Sequence, residues 1–246
     1  MKIAKQQVNH VDNMGSDLSV VNAARVSFGK ESDWNYEAPA VCICEGQGCM
    51  LCENITVDQP VTLKDQDVQL LKYLAKHNHW SPFAHTSISI RVKAPIFVAR
   101  QLAKHQVGFS WNEVSRRYVS DAPEFYIPDS WRKSVVNVKQ GSSDEAVADT
   151  DLFVEYIESA SEDALDFYNE LLAEGVCAEQ ARMVLPQNMM TEWIWTGSLI
   201  GFHRVCQLRL DSHTQLETQE VAEMIGDLCA FLYPFSWRAL NESSVN

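Results

Sequence analysis

TSISIRVKAPIFVARQLAKHQVGFSWNEVSRRYV, residues 86–119, contains the change of period that decides the fold. Ile88, Ile90 and Val92 alternate with polar side chains, the period-two pattern of a strand buried on one face. Pro95 then suits the first turn of a helix, where its missing N–H would have had no partner anyway. On that helix, at about 100° per residue, Arg100, Gln101, Lys104 and His105 fall within an arc of roughly 140°, with Val98, Ala99, Leu102 and Ala103 on the other side. One face reads as core and the other as an array of donors. The helix runs directly into Asn112, Glu113, Ser115, Arg116 and Arg117, a polar cluster at its far end.

The flanking sequence extends this mixture of periods. A β-like start leads to VNAARVSF (21–28), apolar with Arg25 embedded. Thr62 can cap a helix with Asp65 three residues on, and Val68, Leu71 and Ala75 recur at helical spacing up to His77. HNHWSPFAH (77–85) reads as a polar turn, DAPEFYIPDSW (121–131) as a loop, and KQGSSDEAVADT (139–150) as a mobile turn. Phe153, Ile157, Ala164, Tyr168, Leu171 and Leu172 mark a long amphipathic helix that Gly175 can terminate. A short helix through Gln180 and Arg182 stops before Pro186, and MTEWIWTG (190–197) reads as a strand. Helices follow at about 198–208 and 214–232, joined by RLDSH. Many helices and few strands make the fold class α+β, with helices packed around a small, mostly antiparallel sheet. Residues 1–246 read as one domain, interrupted at about 34–61 by a surface insertion containing Pro39, Gly46, Gly48 and Pro60.

The chain has 246 residues, 46% of them hydrophobic, enough to bury a full core. No run approaches the roughly 20 apolar residues of a membrane helix, and MKIAKQQVNHVDN lacks an apolar signal core, so the expectation is a cytoplasmic protein with no membrane partner. The net charge of −13 is unevenly spread. From Gly141 to Glu174 there are eleven Asp or Glu and no Lys or Arg, consistent with a solvated helix face. From Arg91 to Arg117, six basic residues meet Glu113 alone. An acidic total repels nucleic acid, so this basic island suits a compact anion such as a nucleotide phosphate. Arg and Lys supply charge-assisted bonds, Ser adds direction, and Glu113 can orient an arginine or accept from a base or sugar hydroxyl. An intramolecular ion-pair network would use the same residue types.

Seven cysteines, an odd number, argue for reduced thiols. Four of them lie in CICEGQGCMLCE: Cys42, Cys44, Cys49 and Cys52, with Gly46 and Gly48 between the pairs. The spacing suits a tetrahedral structural zinc; loose thiols, an iron–sulfur cluster or a disulfide are the alternatives. His77, His79, His85 and His105 lack the spacing of a zinc helix, and Pro82 breaks the first three apart. Cys206, on a helix with Val205 and Leu208, reads as core.

KAPIFVARQ followed by KHQVGFSWNEVSRRYV resembles the signature of the flavin-dependent thymidylate synthases, Arg-His-Arg, seven residues, then Ser. The resemblance extends through VNAARVSFGKES, LKYLAKHNHWSPFAH, ARMVLPQNMMTEW and LRLDSHTQLETQ, in the same order. It implies the family's α+β fold, a homotetramer with active sites shared between subunits, and formation of dTMP from dUMP. Methylenetetrahydrofolate would provide the one-carbon unit and NADPH the reducing equivalents, through FAD. For dUMP it implies Gln101, Lys104, Glu113, Val114, Ser115, Arg116, Arg117, Arg182 and Arg209, with Arg209 as the catalytic group against the uracil edge. For FAD it implies His79, Ser81, Lys104, His105, Gln106, Glu113, Ser198, Ile200 and Arg204. Ser115 reads as a binding residue, because reduced flavin and an electrostatically activated pyrimidine need no enzyme nucleophile.

The chain departs from the pattern at several of these positions. Lys104 and Gln106 stand where the family has arginine, and eight residues separate Gln106 from Ser115. Lysine keeps the charge and loses the planar fork; glutamine loses the charge too. Ile200 cannot donate to a flavin, whereas Arg204, at a position where asparagine is expected, returns a cation. Two other functions use the same features: a non-catalytic nucleotide-binding protein of this fold, and an interaction module built around the cysteine insertion.

Overall fold

The computed structural model describes residues 1–35, 62–119, 121–135, 141–143 and 145–243. The four clustered cysteines, and with them the metal expectation, lie outside these residues. In chain order the elements are β1 (Lys2–Ile3), β2 (Gln7–Met14), α1 (Asp17–Arg25), α2 (Asp65–Lys76), β3 (Ser87–Pro95), α3 (Ile96–Leu102), β4 (Phe109–Glu113), β5 (Glu124–Phe125), α4 (Thr150–Ala173), α5 (Ala178–Ala181), β6 (Met190–Gly197), α6 (Leu199–Arg209), α7 (Leu216–Leu232) and α8 (Pro234–Ser243). The fold is α+β. Contacts divide the chain into two compact units, Met1–Asn13 with Ile88–Leu228, and Met14–Ser87 with Cys229–Asn246.

The first unit is organised by a four-stranded sheet in the order β2-β3-β6-β4. Alternation in β3 buries Ile88, Ile90, Val92 and Ala94, and the antiparallel register sets Ile90 against Trp195 and Val92 against Trp193. Strand β4 pairs antiparallel with β6, placing Trp111 opposite Trp195, Glu113 opposite Trp193 and Phe109 opposite Gly197. The glycine is required there: a Cβ would come within 2.3 Å of the Phe109 ring. Trp111 stacks on Trp193 with ring centroids 4.3 Å apart, and Phe109 meets Trp195 at 5.0 Å. This aromatic packing fixes the rim strand that ends at Glu113. A second cluster of Phe125, Tyr168, Ala181, Leu185 and Met189 anchors α4. That helix closes as its glycine foretells: Gly175 has φ 83°, its N–H donates to Leu172 O at 3.1 Å, and Val176 donates to Leu171 O at 2.9 Å. Cys206 is buried as expected, and burial pushes its thiol pKa up to about 12.

In the second unit α2 packs on α8, with α1 against both. Arg25, embedded in an apolar stretch, is explained by Asp67, a fully buried carboxylate that accepts from the arginine Nε at 2.8 Å and from its Nη2. Ser32 Oγ donates to the other carboxylate oxygen, so the buried charge is fully bonded. Asp17 likewise accepts from the N–H groups of Phe235 at 3.2 Å and Ser236 at 2.7 Å, capping the start of α8 from a distant part of the chain.

Three expectations change. Thr62 does not cap α2, whose N-cap is Lys64; Thr62 instead bridges Asn35, joining the two ends of the insertion. Helix α3 stops at Leu102, leaving Lys104 and His105 in the turn that follows. Within 139–150, the described residues are tied back to the preceding segment through Lys133 N–H to Glu145 O at 2.9 Å and the Arg132–Ala146 bridge, rather than forming a free turn.

Candidate active site

Consecutive residues of α3 serve different cavities, because about 100° of helical rotation separates them. Arg100 lines a cavity of about 850 Å³, together with Glu113, Val114, Arg116 and Arg182. Gln101 lines another of about 580 Å³, together with Arg209. Among the described residues none lines both. The donor array expected from the sequence is therefore divided, and within this chain Arg182 and Arg209 do not face the same space.

The first cavity is rich in cations, most of them already paired. Lys2 and Lys93 both bond to Glu124. Burial opposes ionisation of that carboxyl, but the two lysines outweigh it and hold its pKa below the usual carboxylate value. Arg116 donates to the Asp121 carbonyl, and Glu192 pairs with Arg91 at 3.0 Å. Among the described residues the guanidiniums of Arg100 and Arg182 have no partner. With Arg116, whose acceptor is a neutral carbonyl, these are the guanidiniums in the wall whose charge no carboxylate cancels among the described residues. Glu113, at the end of β4, accepts from Thr191 Oγ1 at 2.7 Å and from Trp111 Nε1 at 3.3 Å, which aims its carboxylate from two elements. Val114 N–H continues the strand pairing to Glu192 O at 2.8 Å.

Ser115 and Arg117 belong to the same turn but not to the cavity wall. Ser115 Oγ accepts from Arg117 N at 3.3 Å and Nε at 3.4 Å, and no general base bonds to it among the described residues. The hydroxyl is a positioned acceptor rather than an activated nucleophile. Arg117 also reaches Glu179 at 3.4 Å and lies 5.1 Å from the Tyr118 ring centre.

At the second cavity Arg209, in the last turn of α6, donates from Nε to His105 Nε2 at 3.0 Å and from Nη2 to Gln101 O at 2.8 Å. Neither acceptor carries a negative charge. Burial lowers the arginine's pKa, and burial followed by the Arg209 charge lowers that of His105. A guanidinium has five N–H donors, so with two in use three remain. Gln101 is itself held by its side-chain N–H donating to Gln215 Oε1 at 2.7 Å. Nearby acids are occupied: Asp211 bonds His213 at 2.9 Å, and Glu217 takes Arg132 through both oxygens, at 2.9 and 3.0 Å.

Of the residues implied for flavin, Lys104, His105 and Gln106 follow α3 in one turn. Ser198 is the N-cap of α6, its Oγ accepting from Gly201 N at 3.2 Å, and Arg204 is exposed two turns further on. Ammonium, imidazole, amide and guanidinium groups form a donor set that fits an anionic dinucleotide with a hydrogen-bonding ring. Ile200 is buried and offers only packing. His79 and Ser81 belong to the other compact unit, where the His79 ring meets Tyr73 edge-on at 6.0 Å. Thr191, Trp111 and Gln215 were not singled out as site residues from the sequence, and Arg100 entered only as a member of the donor arc. Arg100 alone had a signal, as a cation next to Gln101; the others emerge only from tertiary pairing.

A family model described as thymidylate synthase complementing protein matches residues 10–235. The flavin-dependent thymidylate synthase of Thermosipho africanus is 37% identical over 93% of this chain and 88% of its own length. That of Thermus thermophilus is 34% identical over 96% of this chain and 75% of its own. Among solved structures, a UMP/dUMP methylase from Streptomyces cacaoi bound with 5-Br dUMP superposes with a TM-score of 0.77 at 29% identity, covering 98% of this chain and 97% of the other. A second structure of that methylase, with 5-Br UMP, gives a TM-score of 0.78. With the motif blocks, the α+β architecture and these matches in agreement, the chain belongs to the flavin-dependent thymidylate synthase family.

Proposed function

We propose that this protein converts dUMP to dTMP, with the nucleotide site assembled from the first cavity of one copy and the second cavity of another. The observation that carries this reading is the division of the nucleotide-binding residues: Glu113, Val114, Arg116 and Arg182 on one cavity, Gln101 and Arg209 on another. A compact nucleotide needs both sets, and a shared site in a homotetramer provides them. Arg182, assisted by Arg100, takes the phosphate; Glu113 accepts from the sugar or base; Ser115 and Arg117 brace the turn that carries them. Arg209 places its free N–H groups against the uracil edge. A cation there favours ionisation of the ring and makes its C5 carbon more nucleophilic.

Bound FAD would pass reducing equivalents from NADPH to the product, and methylenetetrahydrofolate would supply the one-carbon unit. Lys104, His105, Gln106, Ser198 and Arg204, with Glu113, His79 and Ser81, are the groups of this chain that would hold the flavin. Cys42, Cys44, Cys49 and Cys52 retain the spacing of a structural zinc knuckle, which metal analysis of purified protein would test. We place the protein in the cytoplasm, in keeping with the absence among the described residues of any helix long and apolar enough to cross a membrane.

The test is an absorbance spectrum of the purified protein, followed by NADPH oxidation and product analysis with dUMP and, in parallel, UMP. Flavin absorbance with dUMP-dependent NADPH oxidation and dTMP formation supports the reading. Colourless protein that binds dUMP without turnover would replace it with the non-catalytic alternative, to which Gln106 and the buried Ile200 would then point. Turnover of UMP at least as fast as dUMP would move the assigned substrate to the ribonucleotide.

A further inference from the structure

We infer that His105 is a positioning residue for the Arg209 guanidinium, acting as a neutral acceptor that fixes the plane in which the arginine meets the pyrimidine. This rests on the assignment of Arg209 proposed above and adds a role separate from any contact of His105 with flavin.

The Arg209 Nε carries a single hydrogen, so its 3.0 Å contact with His105 Nε2 requires a lone pair on that nitrogen. The imidazole is therefore neutral, with its proton on Nδ1. Together with the 2.8 Å bond from Nη2 to Gln101 O, it fixes one edge of the guanidinium at two points. Both N–H bonds lie in the plane of the guanidinium, so two directed bonds along one edge restrain that plane, and the remaining three donors are aimed rather than free to rotate. His105 is itself held: its N–H donates to Leu102 O at 3.0 Å, and its ring lies 6.4 Å from that of the fully buried Trp195.

From α6 His105 faces the Arg209 cation, from β6 the uncharged Trp195, and along its own segment Lys104 is its neighbour. No carboxylate bonds to it among the described residues. Both the partial burial and the adjacent cation favour the neutral ring. Protonation would turn the acceptor into a donor and set two cations edge to edge, freeing Arg209 from its anchor. The chemical step should therefore rise with pH through a group titrating below the ordinary histidine value, and stay high above it. Nδ1–H, left free by this arrangement, is the only ring donor that remains for a flavin contact.

The experiment uses the holoenzyme with dUMP, NADPH and methylenetetrahydrofolate, comparing wild type, His105→Gln and His105→Leu. Glutamine can return an acceptor near the Nε2 position without titrating; leucine fills space and accepts nothing. Flavin content is measured by absorbance, dUMP binding by the flavin difference spectrum, and kcat across pH 5 to 8. In flavin-saturated enzyme, the inference expects His105→Leu to lose up to about 100-fold in kcat, the scale of a misplaced catalytic group, with dUMP affinity changed by less than about 3-fold. It expects His105→Gln to recover most of that loss and to lack the acid limb seen in wild type. It is overturned if leucine matches wild type in flavin-saturated enzyme, if glutamine recovers none of the loss, or if glutamine keeps the acid limb. A wild-type protein without dUMP-dependent turnover would defeat the functional assignment instead, a result separable from all of these.

Discussion

Around the first cavity Lys2 and Lys93 share Glu124, Arg91 meets Glu192 and Arg117 meets Glu179, whereas at the second, among the described residues, Arg209 meets an imidazole and a carbonyl oxygen and no carboxylate. A cation paired with a carboxylate has much of its field cancelled; one held by neutral acceptors keeps it for a ligand. At an effective dielectric of about 20, a full charge 4 Å away is worth roughly 4 kcal/mol, enough to matter for an anion developing on a ring. The first cavity thus resembles a scaffold that keeps Arg100, Arg116 and Arg182 for binding, and the second pairs Arg132 with Glu217 but leaves Arg209 uncompensated at some cost in burial.

If that division is correct, the largest effect belongs to the second cavity. Arg209→Ala should lower kcat by roughly 100- to 1,000-fold while leaving the flavin spectrum intact, because it removes the charge that acts on the ring. Arg209→Lys keeps a charge but loses the rigid planar fork that His105 and Gln101 hold along one edge, and should fall between alanine and wild type. Equal kcat for all three proteins would break the contrast.

The first cavity should respond in binding. Arg182→Ala is expected to raise the KM for dUMP by about 10- to 100-fold, the scale of one charge-assisted hydrogen bond, with a smaller change in kcat. Steady-state kinetics check this, and a pure kcat effect would put Arg182 in the chemical step. Ser115→Ala should cost less, roughly 2- to 10-fold in kcat/KM, because the hydroxyl is a neutral acceptor within its own turn. A complete loss would reopen the question of a nucleophilic serine. The smallest expected effect is structural: Gly197→Ala forces the Phe109 ring away and should destabilise the protein by about 2 kcal/mol, read by denaturant unfolding. An unchanged midpoint would mean that β4 is not locked by that contact.

The sequence was readable where periodicity was long. β3 and β6 alternate over eight or nine residues, and α4 has both an apolar stripe and a terminating glycine. β4 was not seen because five residues at a sheet rim, with only Phe109 and Trp111 alternating inward, look like an extension of the polar cluster. α8 follows a Tyr233-Pro234 break, where Trp237 and Leu240 at helical spacing were its signal. The site's chemistry was legible as residue types: Glu113, Ser115, Arg182 and Arg209 all stand in recognisable blocks. Their partition was not, because it depends on which side of α3 each residue faces and on where that helix ends. Extending α3 to His105 put four donors on one arc; stopping it at Leu102 hands Arg100 to one cavity and lets His105 turn back to Arg209. The Lys2–Glu124–Lys93 cluster joins three distant segments and has no local signal at all.

If the two cavities are two halves of one nucleotide site, as proposed, mixing chains tests that most directly. Arg182→Ala and Arg209→Ala chains, co-expressed with different tags and purified through both, should be assayed at a dUMP concentration well below the KM of the first variant. Random assortment would give roughly a quarter of the sites an intact clamp from one chain and an intact Arg209 from another, with activity returning to about that fraction of wild type. Mixed oligomers no more active than the better single variant would contradict the account, because each chain would then complete its site alone or the two cavities would serve different ligands.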